Sequence, residues 1–291
     1  MHHDLMLSLI ASGASADVIR LGSGKVLKLF HRDVEPGVVR RDLDGASRAR
    51  AEGLLVPRPF GCRTVEERPG IVFEELDGKP LLDPQPGLHF FRARDALHKL
   101  ADAHSRIHRC NGDGLIHQQH DILHVRILAA EVDDEVKQEA LAQLHTLPRG
   151  RRLCHGDFHP GNAVETPHGV AAIDWANGCA GEPAADVLRT HYLVRYGMYG
   201  DLARRSRIAR WFRHLAGDFY LREYLRISGA PLEWIAAWRL PVLVSCLGKG
   251  SRMHRPALLA LLARYRRRSD DADNGIRVVG AAGFEPATPA V

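Results

Sequence analysis

No stretch of the 291-residue chain approaches the roughly 18 consecutive apolar residues of a membrane span, which excludes a transmembrane helix. Paired short cysteine spacings are also missing. The five cysteines, Cys62, Cys110, Cys154, Cys179 and Cys246, are odd in number and scattered. That pattern argues against a disulfide framework or a zinc site and for reduced thiols in a cytoplasm. Leu5 to Ile10 followed by ASGASA imitates a secretory signal, but a basic leading segment is lacking and Asp4 intrudes, so no signal is expected. Internal repeats are absent, which leaves no basis for a repeat architecture. Acids are scarce in one region only. Residues 187–268 hold 17 Lys and Arg against four acids, Asp201, Asp218, Glu223 and Glu233. The remainder of the chain then has 23 of the 40 basic residues against 31 of the 35 acidic ones, so the net charge of +5 hides a basic C-terminal third.

What is present is ordinary for a globular protein, 45% hydrophobic and 26% charged residues, in a chain long enough for two lobes. One stretch stands out: LCHGDFHPGN, from Leu153 to Asn162, with Asp174 following Asn162 by twelve positions in AAIDW. Pro160 and Gly161 forbid a regular helix, so Asp157 and Asn162 project from a loop toward one point. Asp174 follows a short apolar run that reads as a buried strand delivering a carboxylate at its end. Two aspartates and an asparagine make a hard-oxygen set suited to magnesium shared with nucleotide phosphates, as phosphoryl transfer needs. A rival reading has His155, Asp157 and His159 alternate on a strand and ligate zinc or iron, which leaves Gly161, Asn162 and Asp174 without a role. Ordinary turn chemistry would also account for a Pro-Gly-Asn cluster taken alone.

H-G-D-F-H-P-G-N followed by I-D-W resembles the catalytic loop and metal-binding segment of the aminoglycoside phosphotransferase and choline kinase group, small-molecule kinases with a protein-kinase-like fold. The resemblance implies that Asp157 orients or deprotonates an acceptor hydroxyl, and that Asn162 and Asp174 hold Mg2+. It places His155 where the histidine of the kinase catalytic loop stands, and Asp186 where an aspartate supports that loop from a helix N-terminus. Gly156 replaces the arginine of the protein-kinase version, so regulation by a phosphorylated activation loop is not implied.

The N-terminal part reads as LSLI, a small-residue turn containing Gly13 and Ser15, then VIRL, the tight turn GSG, and KVLKLF. In the kinase-like reading the first turn covers the ATP phosphates. Lys28 alternates with Leu27 and Leu29 inside an apolar strand, a poor place for an ammonium without a partner. It matches the family's phosphate-binding lysine, with Lys25 as a competitor at the turn. A helix is expected from about Gly37 to Glu52, where the family's lysine-pairing glutamate falls on Asp42, one methylene shorter, or on Asp44. IVFEEL, residues 71–76, reads as a strand closing on the hinge, with backbone near Glu74 to Leu76 receiving adenine.

Beyond a Pro-rich linker at Pro80–Pro86, residues 91–108 show helical periodicity with Leu97, Leu100, Ala101, His104 and Ile107 on one face. His104 is expected as a buried, hydrogen-bonded core histidine. Residues 121–147 read as one more helical region of insertion-like character, and 188–268 as amphipathic helices with Trp211, Trp234 and Trp238 as core or cleft aromatics. Few large apolar residues remain from Ser269 onward, so a disordered tail is expected there. The expected architecture is therefore α+β and two-lobed: a nucleotide-binding lobe of five antiparallel strands and one helix at 1–76, a mainly helical catalytic and acceptor lobe at 77–268, and a tail at 269–291. The expected activity is phosphate transfer from ATP to the hydroxyl of a small molecule in the cytoplasm. A nucleotide-binding protein without catalysis and a nucleic-acid binder using the basic third are the alternatives; neither membrane nor nucleic acid is the expected partner. A polycationic aminoglycoside would want a carboxylate-lined pocket. Unless the four C-terminal acids converge, or acids of 121–139 fold over the pocket, the acceptor is expected to be neutral or anionic.

Overall fold

A computed structural model describes residues 8–81, 90–197, 207–249, 251 and 253–273. β1 (Ser8–Ser12), β2 (Ala16–Gly22), β3 (Lys25–Phe30), β4 (Pro59–Val65) and β5 (Arg68–Glu74) form one antiparallel sheet in the order β1-β2-β3-β5-β4. The signal-like N-terminal stretch thus supplies part of a sheet edge, exposed along β1's whole length. The β2–β3 turn needs its glycines, since Gly22, Ser23 and Gly24 all have positive φ, at 78°, 52° and 69°. α1 (Pro36–Ala51) lies between β3 and β4 in the chain. Proline at its start and Arg48 and Arg50 in its last turn suit the helix ends and their partial charges.

The rest of the chain is largely helical. α2 (Phe90–Arg109), α3 (Gln119–Leu128) and α4 (Asp134–Thr146) lead to β7 (Arg152–Cys154) and a single 3-10 turn at Pro160–Asn162. β8 (Ala163–Thr166) and β9 (Gly169–Ala172) form a hairpin, with β6 (Lys79–Pro80) added to its edge, and β10 (Cys179–Gly181) pairs back on β7. α5 (Pro183–Tyr196), α6 (Arg207–Ser228), α7 (Leu232–Ala236), α8 (Arg239–Ser245) and α9 (Arg255–Asp273) complete the described chain. The expected inner face of α2 is buried at Leu97, Leu100, Ala101, His104 and Ile107, and it packs with Leu188 of α5 and Tyr220 and Tyr224 of α6 in one core. Each fully buried leucine or isoleucine there contributes about 1.5–3 kcal/mol.

Three expectations are corrected. The region at 121–147 is two helices rather than one, because the chain between them pairs outward: Ala130 bridges Gly248, and Glu131 N–H donates to Leu247 O at 3.1 Å. It is no loose insertion either, since Leu123, Ile127, Val136, Ala140 and Leu144 are core. Trp211 is 43% exposed and meets Phe212 edge to face at the surface. Nine residues separate it from buried Tyr220, about two and a half turns, which puts the two on opposite faces of α6. Helix α9 runs on to Asp273, past the point where composition predicts order to end; residues 274–291, most of the Pro-rich linker and Asp201 lie outside the described residues. Among those described, no helix is long and apolar enough to cross a membrane.

Candidate active site

Strand alternation aims Lys28 away from Leu27 and Leu29 and toward α1. There its Nζ lies 2.7 Å from Asp42 Oδ2 and 2.8 Å from Asp174 Oδ1. Asp42 is 1% exposed and its other oxygen accepts the Trp175 N–H at 2.7 Å, so one short side chain ties strand lysine to metal-segment backbone. The helix can come this close because of Gly45, where a Cβ would stand 2.8 Å from Trp175 Cβ. Asp44 faces Arg40 instead, and Lys25 stays exposed over the Phe60 ring. Burial pulls the Lys28 pKa down, but the two carboxylates outweigh it and hold the ammonium above its ordinary value. Burial keeps the Asp42 carboxyl above the usual range despite Lys28. For Asp174 burial is the largest influence and opposes ionisation, yet Lys28 prevails and holds the carboxyl below it.

Asp174 follows β9 in a left-handed conformation, φ 63°, which costs a non-glycine residue roughly 1–2 kcal/mol. Such strain persists where the surroundings impose it, as at functional sites. Next to it, Ile173 N–H donates to Asn162 O at 3.0 Å, and Asn162 Nδ2 donates to Asp157 O at 3.0 Å. A continuous set of contacts therefore runs from Lys28 through Asp174 and Asn162 to Asp157. The Asn162 amide nitrogen is spent on Asp157 O, which leaves its oxygen as an acceptor. Asp174 Oδ2 has no partner among the described residues. An amide oxygen and a carboxylate oxygen on adjoining segments fit a hard divalent cation such as magnesium.

Asp157 Oδ1 accepts Arg189 Nη2 at 3.1 Å, and His159 Nε2 lies 3.7 Å from Oδ2. Arg189 also donates through Nε to Gly156 O at 2.5 Å. Burial opposes the Arg189 charge, but Asp157 beside it keeps the guanidinium pKa above the ordinary value. Gly156 has φ 75° and a Cβ there would collide with Asn177 O, so the position that is arginine in protein kinases admits no side chain here. His155 does not face Asp157; its Nε2–H donates to Ile173 O at 3.0 Å and its ring packs on Trp175 at 4.5 Å. That geometry joins the Asp157 loop to the Asp174 segment, and it removes the arrangement of His155, Asp157 and His159 on one strand.

Asp186, 2% exposed near the start of α5, accepts four hydrogen bonds: His155 N at 2.7 Å, Gly156 N at 2.9 Å, and His104 and His108 Nε2 at 3.2 Å each. The two histidines accept in turn from Tyr220 and Tyr224 hydroxyls at 2.6 and 2.8 Å. Though these residues could in principle hold a metal, every ligating atom is already used in this network. Burial holds His104 down to about 3, and likewise His191 to about 3 and His214 to about 4. An unfolded chain protonates these groups near pH 6.5 and the folded chain does not, so the unfolded state binds more protons below that pH. Stability should therefore fall as pH drops from about 6.5 toward 4. Urea midpoints measured across that range test this; a flat profile would show that the three histidines do not stay neutral.

The remaining expected residues sit at the sheet end. Gly13 N–H closes the β1–β2 turn on Ala16 O at 2.9 Å, and Ser15 O accepts His31 N–H at 2.9 Å. Glu74 N–H is already committed to Arg58 O, and Glu75 N–H to Gly24 O. Among the described residues the Leu76 N–H has no acceptor, so of Glu74 and Leu76 only Leu76 offers an open backbone donor. Sequence reasoning missed Gly45, Arg126 and Arg189. The two arginines look like any other helical basic residues until the helices are packed.

Several solved structures share this fold. An aminoglycoside-3'-phosphotransferase of type VIII is 22% identical, covers 80% of this chain and 90% of its own, and superposes with a TM-score of 0.54. The aminoglycoside phosphotransferase APH(3'')-Id from Streptomyces rimosus, in complex with ADP and streptomycin, is 18% identical over 85% of this chain and 94% of its own, with a TM-score of 0.57. A choline/ethanolamine kinase family protein from Mesorhizobium loti is 15% identical over 92% and 81%, with a TM-score of 0.53. A comparison with curated proteins finds no match. The sequence profile of the phosphotransferase enzyme family matches residues 7–229, which takes in the β-sheet, the loop carrying Asp157, the Asp174 segment and α5, and on that match the chain belongs to this family.

Proposed function

We propose that the protein transfers the γ-phosphate of ATP to a hydroxyl of a small molecule, with residues 1–76 holding the nucleotide and 77–268 the acceptor. One observation carries the reading: Lys28 contacts Asp174, Asn162 contacts Asp157, and Ile173 beside Asp174 bonds Asn162 O, although 146 residues separate Lys28 from Asp174. Lys28, kept charged and placed by Asp42, would neutralise nucleotide phosphates. Asp157 would accept the hydroxyl proton while the acceptor oxygen bonds to phosphorus and the bond to the ADP oxygen breaks, its electron pair leaving on ADP. Magnesium, when bound, supplies charge neutralisation at the phosphates, and Asn162 and Asp174 would hold it. Gly13 and Ser15 would lie by the phosphates, and backbone near Leu76 by the adenine.

Nucleotide binding without catalysis would be favoured by an Asp42 too short to reach Lys28, but the two are 2.7 Å apart. A nucleic-acid role fares no better, because several arginines of the basic third are turned inward: Arg189 to Gly156 O, Arg195 to Asp218, Arg255 to Leu247 O. The test is transfer of label from γ-labelled ATP, with magnesium, to a panel of sugars, amino sugars, amino alcohols and macrolides. Lys28→Met should raise KM for ATP and lower kcat/KM roughly 100-fold, as loss of one charge-stabilising group does. No labelled product with any acceptor, or a Lys28→Met variant with wild-type kinetics, would overturn the reading.

A further inference from the structure

Next to the Asp157 loop is a small, partly open pocket bordered by α3, Gly156 and α5 and lined by Arg126 and by Arg189, the partner of Asp157. Arg189 is satisfied by Asp157 and Gly156 O. Arg126 is not: its guanidinium donates to Asn177 Oδ1 at 2.7 Å, and among the described residues no carboxylate pairs with it. Burial and the neighbouring Arg189 charge bring even this guanidinium down to about 10. A cation set into a protein wall without a counter-charge is costly, and an incoming anion relieves that cost. Asp186, the carboxylate that does line the pocket, has all its capacity taken by four donors.

The acids that would favour a polycation point elsewhere. Asp218 pairs with Arg195, Glu223 with Arg226 and His98, and exposed Glu233 does not line the pocket. Of those between 121 and 139, five are spent on other partners, Asp121 on Arg149, Glu131 on Arg255, Asp134 on Lys137, and Glu135 and Glu139 on Arg266, while exposed Asp133 does not line the pocket. Among the described residues, helix packing has brought two guanidinium groups into the pocket next to Asp157, and its one lining carboxylate, Asp186, is fully used.

From this we infer that the acceptor carries an anionic oxygen group, a carboxylate or a phosphate, which Arg126 receives while its hydroxyl faces Asp157. Arg126 is then the specificity-determining residue. The planar guanidinium fork can hold two oxygens of such a group side by side, which a lysine cannot reproduce. The inference rests on Asp157 being the proton acceptor.

The experiment compares matched acceptors of three charges, gluconate and glucose 6-phosphate, glucose, and glucosamine, by ATP consumption in wild type, Arg126→Met, Arg126→Lys and Asp157→Asn. Thermal melting of each variant checks its fold. In wild type the anionic acceptors should be preferred over glucose and glucosamine. Arg126→Met should raise KM for the anionic acceptors about 100-fold, as for a lost charge-assisted bidentate contact, with the change in acceptor KM rather than in ATP KM. Arg126→Lys should recover part of that loss. Preference for glucose or glucosamine, or an unchanged anionic KM in Arg126→Met, overturns the inference and leaves the phosphotransferase reading standing. Undiminished consumption in Asp157→Asn also overturns the inference, which rests on that residue, whereas ATP consumption that no acceptor stimulates overturns the phosphotransferase reading and the inference together.

Discussion

Asp157→Asn should lower turnover about 10³-fold, the middle of the range for a positioned proton acceptor, while ADP affinity stays at the wild-type value. Asparagine has the shape of aspartate, and its Oδ1 can still accept from Arg189, now 3.1 Å away. What it loses is the capacity to take a proton. Charge stabilisation by Lys28 and by the groups that would hold magnesium survives, so some residual transfer should remain above the uncatalysed rate. Single-turnover measurement with labelled ATP separates the chemical step from release, and calorimetric titration of ADP reports the binding site. Undiminished turnover would remove Asp157 from the role and shift attention to His159, whose Nε2 lies 3.7 Å from it. A parallel loss of ADP affinity would point instead to a collapsed loop.

The largest stability effect is expected at Asp186. Asp186→Ala would strand His155 N, Gly156 N and two histidine N–H groups in a place closed to water, and breaking a buried network of this kind costs about 3–5 kcal/mol. Burial opposes the Asp186 charge, but hydrogen bonds from His104 and His108 reverse that and hold its pKa well below the carboxylate range. Its folded-state pKa is therefore the lower one. The contribution is present above the unfolded value near 3.9 and lost as pH falls through the folded value. Urea unfolding of Asp186→Ala near neutral pH measures the loss directly. A midpoint close to wild type would mean that the surrounding groups find other partners and that the loop does not depend on this carboxylate.

How much of this was legible beforehand differs from one element to the next. Proline and glycine within LCHGDFHPGN forbid helix by local sterics, so a loop carrying Asp157 and Asn162 follows from those residues alone. The 3.6-residue spacing of Leu97, Leu100, Ala101 and His104 marks a buried face, and α2 buries it. Between Asp42 and Asp44 the sequence offered a choice, and helix phase made it: two residues apart on α1, only one can face Lys28. Trp211 went wrong for a related reason, since large aromatics invite a core assignment and only the angular offset from Tyr220 decides its side.

Local residues by themselves determined most of the elements and the loop that carries Asp157, because strand alternation, helix periodicity and turn sterics act over a few neighbours, while the kinase-like architecture was carried by the resemblance of H-G-D-F-H-P-G-N and I-D-W. Only the tertiary structure decided that Arg126 and Arg189 line one pocket next to Asp157 while Asp218 and Glu223 pair elsewhere. Charge–charge contacts between separate helices depend on their mutual rotation and approach, which no spacing along the chain encodes. Arg189 of the basic third and Arg126 of α3, distant in the chain, thus come to line one pocket through packing alone.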